Sequence, residues 1–328
     1  MSLQIIDEVR GSALSRTAGK RRQKHKFTFI DLFAGIGGFH SAASELGGKC
    51  LFASEIDVEA RRAYEANYGI VPFGDITKIG PNKIPDHDIL LAGFPCQPFS
   101  IIGHRLGFDD IRGTLFFNIV QILEEKHPPM FVLENVKQLS THNRGKTLAT
   151  ILDKLQQLGY KVHWKILNAL DYGLPQKRER TIIVGFKDHS VDFQFPKKTQ
   201  MKPLAEILED EEDVDAKHFA SDSIVSKRLA THKSQHELAV WHENKSGNIS
   251  SYPYSCALRA GASYNYLLIN GIRRFTPREL LRLQGFSDTF EIVCNDGQTR
   301  KQAGNAVPVT MIRAVLNEVL NASSKVKR

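Results

Sequence analysis

Between residues 26 and 186, short apolar runs alternate with helical stretches, and this alternation narrows the possible folds more than any other feature. Strand-like runs at 26–33, 49–54, 87–92, 130–133 and 181–186 are rich in β-branched, aromatic and leucine side chains. Helical patterns at 40–46, 58–68, 115–125 and 147–158 stand between them. Strands that each hand over to a helix predict an α/β fold with a doubly wound, mostly parallel sheet. The run 87–92 reads as a strand buried on both faces. Gly47-Gly48 ends the first helix.

After residue 188 the periodicity weakens, and His, Lys, Ser and Asn accumulate up to about residue 272. This predicts a smaller, irregular second domain. Its acidic run at 209–213 reads as a solvated loop or helix face. Regular signals return at Phe275-Thr276-Pro277-Arg278-Glu279, a helix start with proline in its first turn. The final helix, after Val307-Pro308, is expected to return to the large domain. The expected partition is a basic, flexible tail over 1–26 and a large domain over 27–188 plus 302–328. The small domain covers 189–301, divided into a variable region at 189–272 and a hinge-like motif at 273–301.

A chain of 328 residues can bury a substantial core, and 41% hydrophobic with 24% charged residues suits a globular protein. No apolar run is long enough to span a bilayer, and the start lacks a signal-peptide core. Cys50, Cys96, Cys256 and Cys294 show no zinc spacing, so no metal is expected and free thiols in a reducing cytoplasm are the economical reading. A net charge of +8 favours a polyanionic partner. Much of the excess lies in residues 20–26, which serve equally as a solvated tail or as an arm on phosphates.

The candidate site follows from where these strands end. Gly93-Phe94-Pro95-Cys96-Gln97 closes the run at 87–92, and open α/β sheets hold ligands at the carboxyl ends of their strands. Proline stiffens the approach to the thiol. Alone, Pro-Cys is equally a buried structural cysteine. Gly35, Gly37 and Gly38 lie between a strand and a helix, where backbone approaches a ligand closely. Glu55 ends the next strand, as a carboxylate gripping ribose hydroxyls would, and Asp75 ends the third unit near a possible adenine amino group. Phe33 is placed to lie against the adenine ring. The spacing is GxGG and not GxGxxG, which weakens the alternative of NAD.

One chemistry needs such a set. Cytosine C5 is a poor nucleophile until a thiolate adds at C6 and makes the ring an enamine. A free thiol has a pKa of about 8.5, and nearby arginines raise its thiolate fraction. A carboxyl group that carries a proton assists at N3. Glu134, at the end of a buried strand, suits that role, although it also suits a structural carboxylate. Gln176-Lys177-Arg178-Glu179-Arg180 supplies fixed cations.

Taken together, these residues resemble the bacterial DNA (cytosine-5) methyltransferase family, close in type to the methylases of type II restriction–modification systems. The segment 31–39 is similar to its AdoMet-binding turn, 93–100 to its nucleophile loop and Glu134-Asn135-Val136 to its base-protonating motif. The segment 176–180 is similar to its QxRxR element, 274–286 to the motif after the recognition domain, and 302–308 to the closing motif. Ser287 departs from the pattern, since proline is common there. The resemblance implies a Rossmann-like AdoMet-methyltransferase sheet, with a target recognition domain at 189–272. It implies methyl transfer from S-adenosyl-L-methionine to a cytosine flipped out of a short, specific double-stranded DNA sequence, through a covalent bond from Cys96 to C6.

By the same resemblance, AdoMet is bound by Phe33, Gly35, Ile36, Gly38, Glu55, Ile56, Asp75, Ile76, Pro95, Leu115, Asn305 and Val307. Catalysis uses Cys96 and Glu134, with Arg178 and Arg180 supporting the base and the loop. Ser100 begins a mobile loop over DNA, in which Arg105 and Arg112 meet phosphates. Ile102 either wedges into the gap left by the base or packs inside the closed loop. In the variable region, Arg228 and Arg259 are expected to read bases or phosphates, as are Lys227, Lys233 and Asn265. A bacterial cytoplasmic monomer paired with a restriction endonuclease is the implied setting. Two alternatives stay open: the same chemistry on tRNA, and a non-catalytic DNA-binding regulator.

Overall fold

The apolar runs meet in one sheet, and the alternation of their side chains divides the large domain into two cores. The computed structural model describes residues 25–95 and 115–326. In chain order the large domain begins with β1 (Phe27–Leu32), α1 (Gly38–Glu45), β2 (Gly48–Ser54), α2 (Val58–Tyr68) and β3 (Ile89–Gly93). It continues with α3 (Leu115–Lys126), β4 (Met130–Val136), α4 (Lys146–Gln157), β5 (Lys161–Asn168), β6 (Gln176–Lys177) and β7 (Glu179–Phe186). Six of these strands form a sheet in the order β2-β1-β3-β4-β7-β5.

Strands β2, β1, β3 and β4 are parallel, while β7 runs antiparallel to both β4 and β5. The sheet is therefore doubly wound and mostly parallel, with one reversed strand. That reversal brings the start of β7, not its end, to the edge where β3 and β4 finish. The strand order also turns back at β1 and β3, the kind of switch point where such sheets open a crevice.

Successive residues of β3 face opposite ways. Ile89 and Leu91 join Phe29, Val132 and Val184 under α1, α2 and the long C-terminal helix. Leu90 and Ala92 join Ile30, Leu133 and Ile183 under α3 and α4. Each fully buried Leu or Ile contributes about 1.5–3 kcal/mol, so the sheet is fixed from both faces.

The second domain carries α5 (Asp222–Thr231), β8 (Val240–Glu243), β9 (Ile249–Tyr252), β10 (Ser255–Cys256), β11 (Leu267–Ile269), α6 (Pro277–Leu283) and α7 (Asp296–Asn305). Strands β11, β8 and β9 form an antiparallel sheet over a separate core that includes Leu204, Val240, Tyr266 and Leu280. Helix α7 passes residue 301 unbroken, so the boundary expected there falls inside a helix. The chain then enters α8 (Val309–Val326), whose Val309, Ile312, Val315 and Leu316 pack into the large domain.

Of the acidic run, residues 210–213 are exposed as expected. Glu209 differs: its N–H donates to Glu279 at 3.0 Å and its carboxylate takes the Thr276 hydroxyl. A surface charge becomes structural there because α6 begins with a buried polar knot.

Candidate active site

Glycines shape the turn after β1. Phe33, Gly35 and Gly37 take left-handed φ values of 56°, 56° and 84°. A Cβ on Gly37 would stand 2.2 Å from the Tyr68 ring, and one on Gly38 would stand 2.7 Å from the Val307 side chain and 2.9 Å from its carbonyl oxygen. The closing motif thus presses directly against the glycine turn.

Glu55 lies beside that turn. Its Oε2 accepts the Gly35 N–H and its Oε1 accepts the Asp57 N–H, both at 2.8 Å. Each carboxylate oxygen has two acceptor positions, so room remains for two hydroxyl donors. Asp75 Oδ1 accepts the Thr77 hydroxyl at 2.8 Å and its N–H at 3.0 Å. Those bonds, the hydroxyl first, hold the Asp75 carboxyl below the usual carboxylate range.

These groups open on one cavity of about 400 Å³ at the carboxyl edge of the sheet. Phe33, Gly35, Ile36, Glu55, Ile56, Asp75, Ile76, Pro95, Leu115 and Asn305 line it. Gly38 and Val307 do not, because they touch each other behind the turn. The volume lies in the range of about 300–1,000 Å³ common for small-molecule sites. Apolar walls with two carboxylates suit a nucleoside carrying free hydroxyls and an amino group, so the residues present fit AdoMet.

Glu134, Asn135, Arg178 and Arg180 also line this cavity. Glu134 lies on β4 opposite Gly93 of β3 and is buried. Its Oε1 pairs with Arg180 Nε at 2.7 Å. Next to it, Asn135 donates from Nδ2 to the Phe94 carbonyl at 2.9 Å and accepts the Val136 N–H at 2.8 Å. Asn135 therefore ties the Glu134 strand to the backbone that leads into Cys96. In sequence Asn135 is marked only by its place beside Glu134, and nothing in the pattern signals this tie. Cys96, Ser100, Ile102, Arg105 and Arg112 lie outside the described residues.

Arg178 lines the cavity but does not pair with Glu134. It is 2% exposed, and its guanidinium donates to the carbonyls of Leu258, Gly304 and Ala306 at 3.0, 3.0 and 2.8 Å. Burial, then the charge of Arg180, push it down to about 9, opposed by Glu134 and Tyr266. It stays charged at neutral pH, and its two terminal nitrogens are taken by main-chain carbonyls.

Arg228 departs from its expected place as a DNA reader. It is buried inside the second domain, pairs with Glu243 at 2.6 Å and donates to the Asn265 carbonyl. Its Nη2 makes both bonds, and its Nε and Nη1 are buried without partners among the described residues, so the guanidinium is enclosed and not presented to solvent; an arginine inside a helix looks the same in sequence whether buried or exposed. Arg259 is exposed and stacks over the Tyr266 ring at 4.8 Å.

Behind the glycine turn sits a buried polar cluster that no sequence motif marks. Asp31, Tyr64, His40 and Cys50 are all buried, and His40 Nδ1 meets the Tyr64 hydroxyl at 2.7 Å. Burial, then the charge of Glu55, push the Asp31 carboxyl well above its usual range. The His40 N–H and Tyr64 hydroxyl pull it back, although neither carboxyl oxygen has a partner in good hydrogen-bonding geometry. Burial also lowers His40 to about 4 and raises the Cys50 thiol to about 12.

Comparison with known proteins agrees with this geometry. The family model for C-5 cytosine-specific DNA methylase matches residues 27–321. The chain is 58% identical over 287 residues to the type II methyltransferase M.NgoBI of Neisseria gonorrhoeae, covering 87% of this chain and 90% of that one. It is 54% identical over 305 residues to M.HaeII of Haemophilus aegyptius, covering 92% and 96%. Among solved structures, Spodoptera frugiperda DNMT2 superposes with a TM-score of 0.72 at 21% identity, covering 90% of this chain and all of that one, which speaks to the fold alone.

Proposed function

This chain belongs to the C-5 cytosine-specific DNA methylase family and is a DNA cytosine-C5 methyltransferase, and from that premise we propose how its own residues do the work. Cys96 is the nucleophile, Glu134 assists at N3, and Arg180 positions Glu134. The observation that carries this reading is the Arg180–Glu134 pair on the cavity wall, with Asn135 holding the carbonyl of Phe94 two residues before Cys96.

AdoMet is the cofactor, held by Glu55, Asp75 and the glycine turn, and supplies the methyl group. The Cys96 thiolate adds to C6 of the flipped cytosine, and the electron pair released into the ring reaches C5. Glu134 bears the hydrogen bond at N3 that stabilises the growing charge. Once C5 carries the methyl group, a water in the site would take the C5 proton, the C5–H electron pair would re-form the C5–C6 double bond, and the Cys96 thiolate would leave C6. By the family resemblance, Ser100, Ile102, Arg105 and Arg112 belong to the DNA-contacting segment, and Arg259, exposed in the second domain, reads the target.

Relatives named type II methyltransferases support a role as the modification enzyme beside a restriction endonuclease. We read it as a monomer, since one chain holds the catalytic and recognition regions, and as a protein of the bacterial cytoplasm. Among the described residues no helix is long and apolar enough to cross a membrane.

The test is to incubate the protein with AdoMet and unmethylated genomic DNA and map 5-methylcytosine base by base. One short consensus is expected, and absence of methylation overturns the reading. With 5-fluorocytosine in that consensus, the protein is expected to be trapped on DNA through Cys96. A Cys96→Ala variant that still forms the adduct would remove Cys96 as the nucleophile.

A further inference from the structure

Gln176 is fully buried, yet both ends of its amide are engaged. Its Nε2 donates to the Leu283 carbonyl at 2.8 Å, and its Oε1 accepts the Leu258 N–H at 3.1 Å. Two residues later, Arg178 takes the carbonyl of the same Leu258 at 3.0 Å. Both polar groups of one peptide residue in the second domain are thus held by side chains that approach from the catalytic domain. Main chain adds to the grip, for β10 pairs with β6 in parallel and the Ser255 N–H donates to the Pro175 carbonyl at 2.8 Å.

The residue after Leu258 is Arg259, whose side chain is exposed over Tyr266 and whose N–H donates to the Tyr266 hydroxyl at 3.1 Å. Two residues after Arg178 is Arg180, paired with Glu134. Residues 176, 178 and 180 therefore join the exposed recognition segment to the catalytic carboxylate over five residues of chain. Buried hydrogen bonds are costly to break without replacement, so this link has one geometry.

We propose that Gln176 and Arg178 are positioning residues that set target specificity, by holding the Leu258–Arg259 backbone in register with Glu134. This rests on the reading above that the second domain recognises DNA and that Glu134 acts on the flipped base. With the register fixed, only a duplex that fits at Arg259 delivers its cytosine to Glu134. With the register loosened, a near-cognate duplex reaches it too.

The test uses the full chain with AdoMet and the consensus found for the wild type. Gln176→Met keeps the side chain close in length and removes both hydrogen bonds. kcat/KM is measured on the cognate duplex and on duplexes with one base changed outside the target cytosine. The cognate-to-changed ratio is expected to fall at least tenfold. A purely structural role would reduce the active fraction equally on every duplex, so a ratio within twofold of wild type overturns the proposal whatever the absolute rate.

If Q176M does not fold, hydrogen exchange on the wild type decides. Cognate duplex is expected to protect the Leu258 amide and residues 176–180 together, and a non-cognate duplex to protect neither. Protection of one segment without the other overturns the coupling. A wild type that methylates no DNA at all defeats the functional reading instead, which separates the two failures.

Discussion

Arg180 occupies one oxygen of Glu134, and the other faces Gly93. A Cβ at Gly93 would lie 3.6 Å from Glu134 Oε2, 3.6 Å from the Phe39 ring and 3.4 Å from Val307, all ordinary contact distances. Gly93→Ala is therefore expected to fold with little change in Tm. Its methyl would cover the oxygen proposed to meet the base, and on that proposal kcat/KM should fall by roughly tenfold or more, as small misplacements at a reacting centre do. Steady-state kinetics beside a thermal melt checks this, and a variant with full activity would show that Oε2 is not the working atom. His40, whose ring packs against Phe29, Tyr64 and Tyr68 and whose backbone lies by Asp31, makes a second residue-scale prediction. Its folded value of about 4 lies below the ordinary 6.5, so between these the unfolded chain binds the extra proton and stability falls as pH falls. Comparison with His40→Asn removes the opposing contribution of Asp31. The stability difference, wild type minus variant, should drop by about 1.4 kcal/mol per pH unit below 6.5, and urea melts at pH 7.5, 6 and 5 that leave it constant would contradict the burial argument.

At the scale of elements, α6 shows how a hinge is made rigid. Thr276 and Glu279 form a capping box, and Glu279, fully buried, also takes Arg273 at 2.8 and 3.0 Å and the Glu209 N–H. Glu279→Ala leaves the Arg273 charge buried without its partner and should cost about 3–5 kcal/mol, measured by urea denaturation; a loss below about 1 kcal/mol would mean that Arg273 escapes to water. β3 was legible in sequence because its apolar run is unbroken, and α2 because a charged helical stretch stands between the second strand and the turn at 74–76. β5 was not, for 161–168 is an edge strand whose Lys161, His163, Trp164 and Lys165 are partly or fully exposed, so no apolar run marks it. Part of the cavity wall was legible because Glu55 directly follows the end of β2 and Asp75 stands in the turn marked by Gly74. The roles of Gln176, Arg178 and Asn135 were not, since each acts on main-chain groups distant in sequence, and no motif records where those groups lie.

For the whole molecule, a net charge of +8 makes electrostatics the first term in DNA affinity. Raising salt from about 50 to 200 mM should weaken binding at least tenfold, which corresponds to two or more neutralised phosphates. A titration that shows no salt dependence would place the interface away from phosphates. The two domains are not simply tethered, because the contact between them runs through backbone. At Gly304 even a Cβ would stand 2.5 Å from the Ala260 nitrogen. That closeness has a consequence for exchanging recognition regions between relatives. A chimera whose seam falls within 255–260 would cut a stretch that has to match the host, so donor sequence belongs outside it, with the host keeping 255–260 and Gly304 as a matched pair. Specificity in this scaffold is then transplantable only as far as that seam allows.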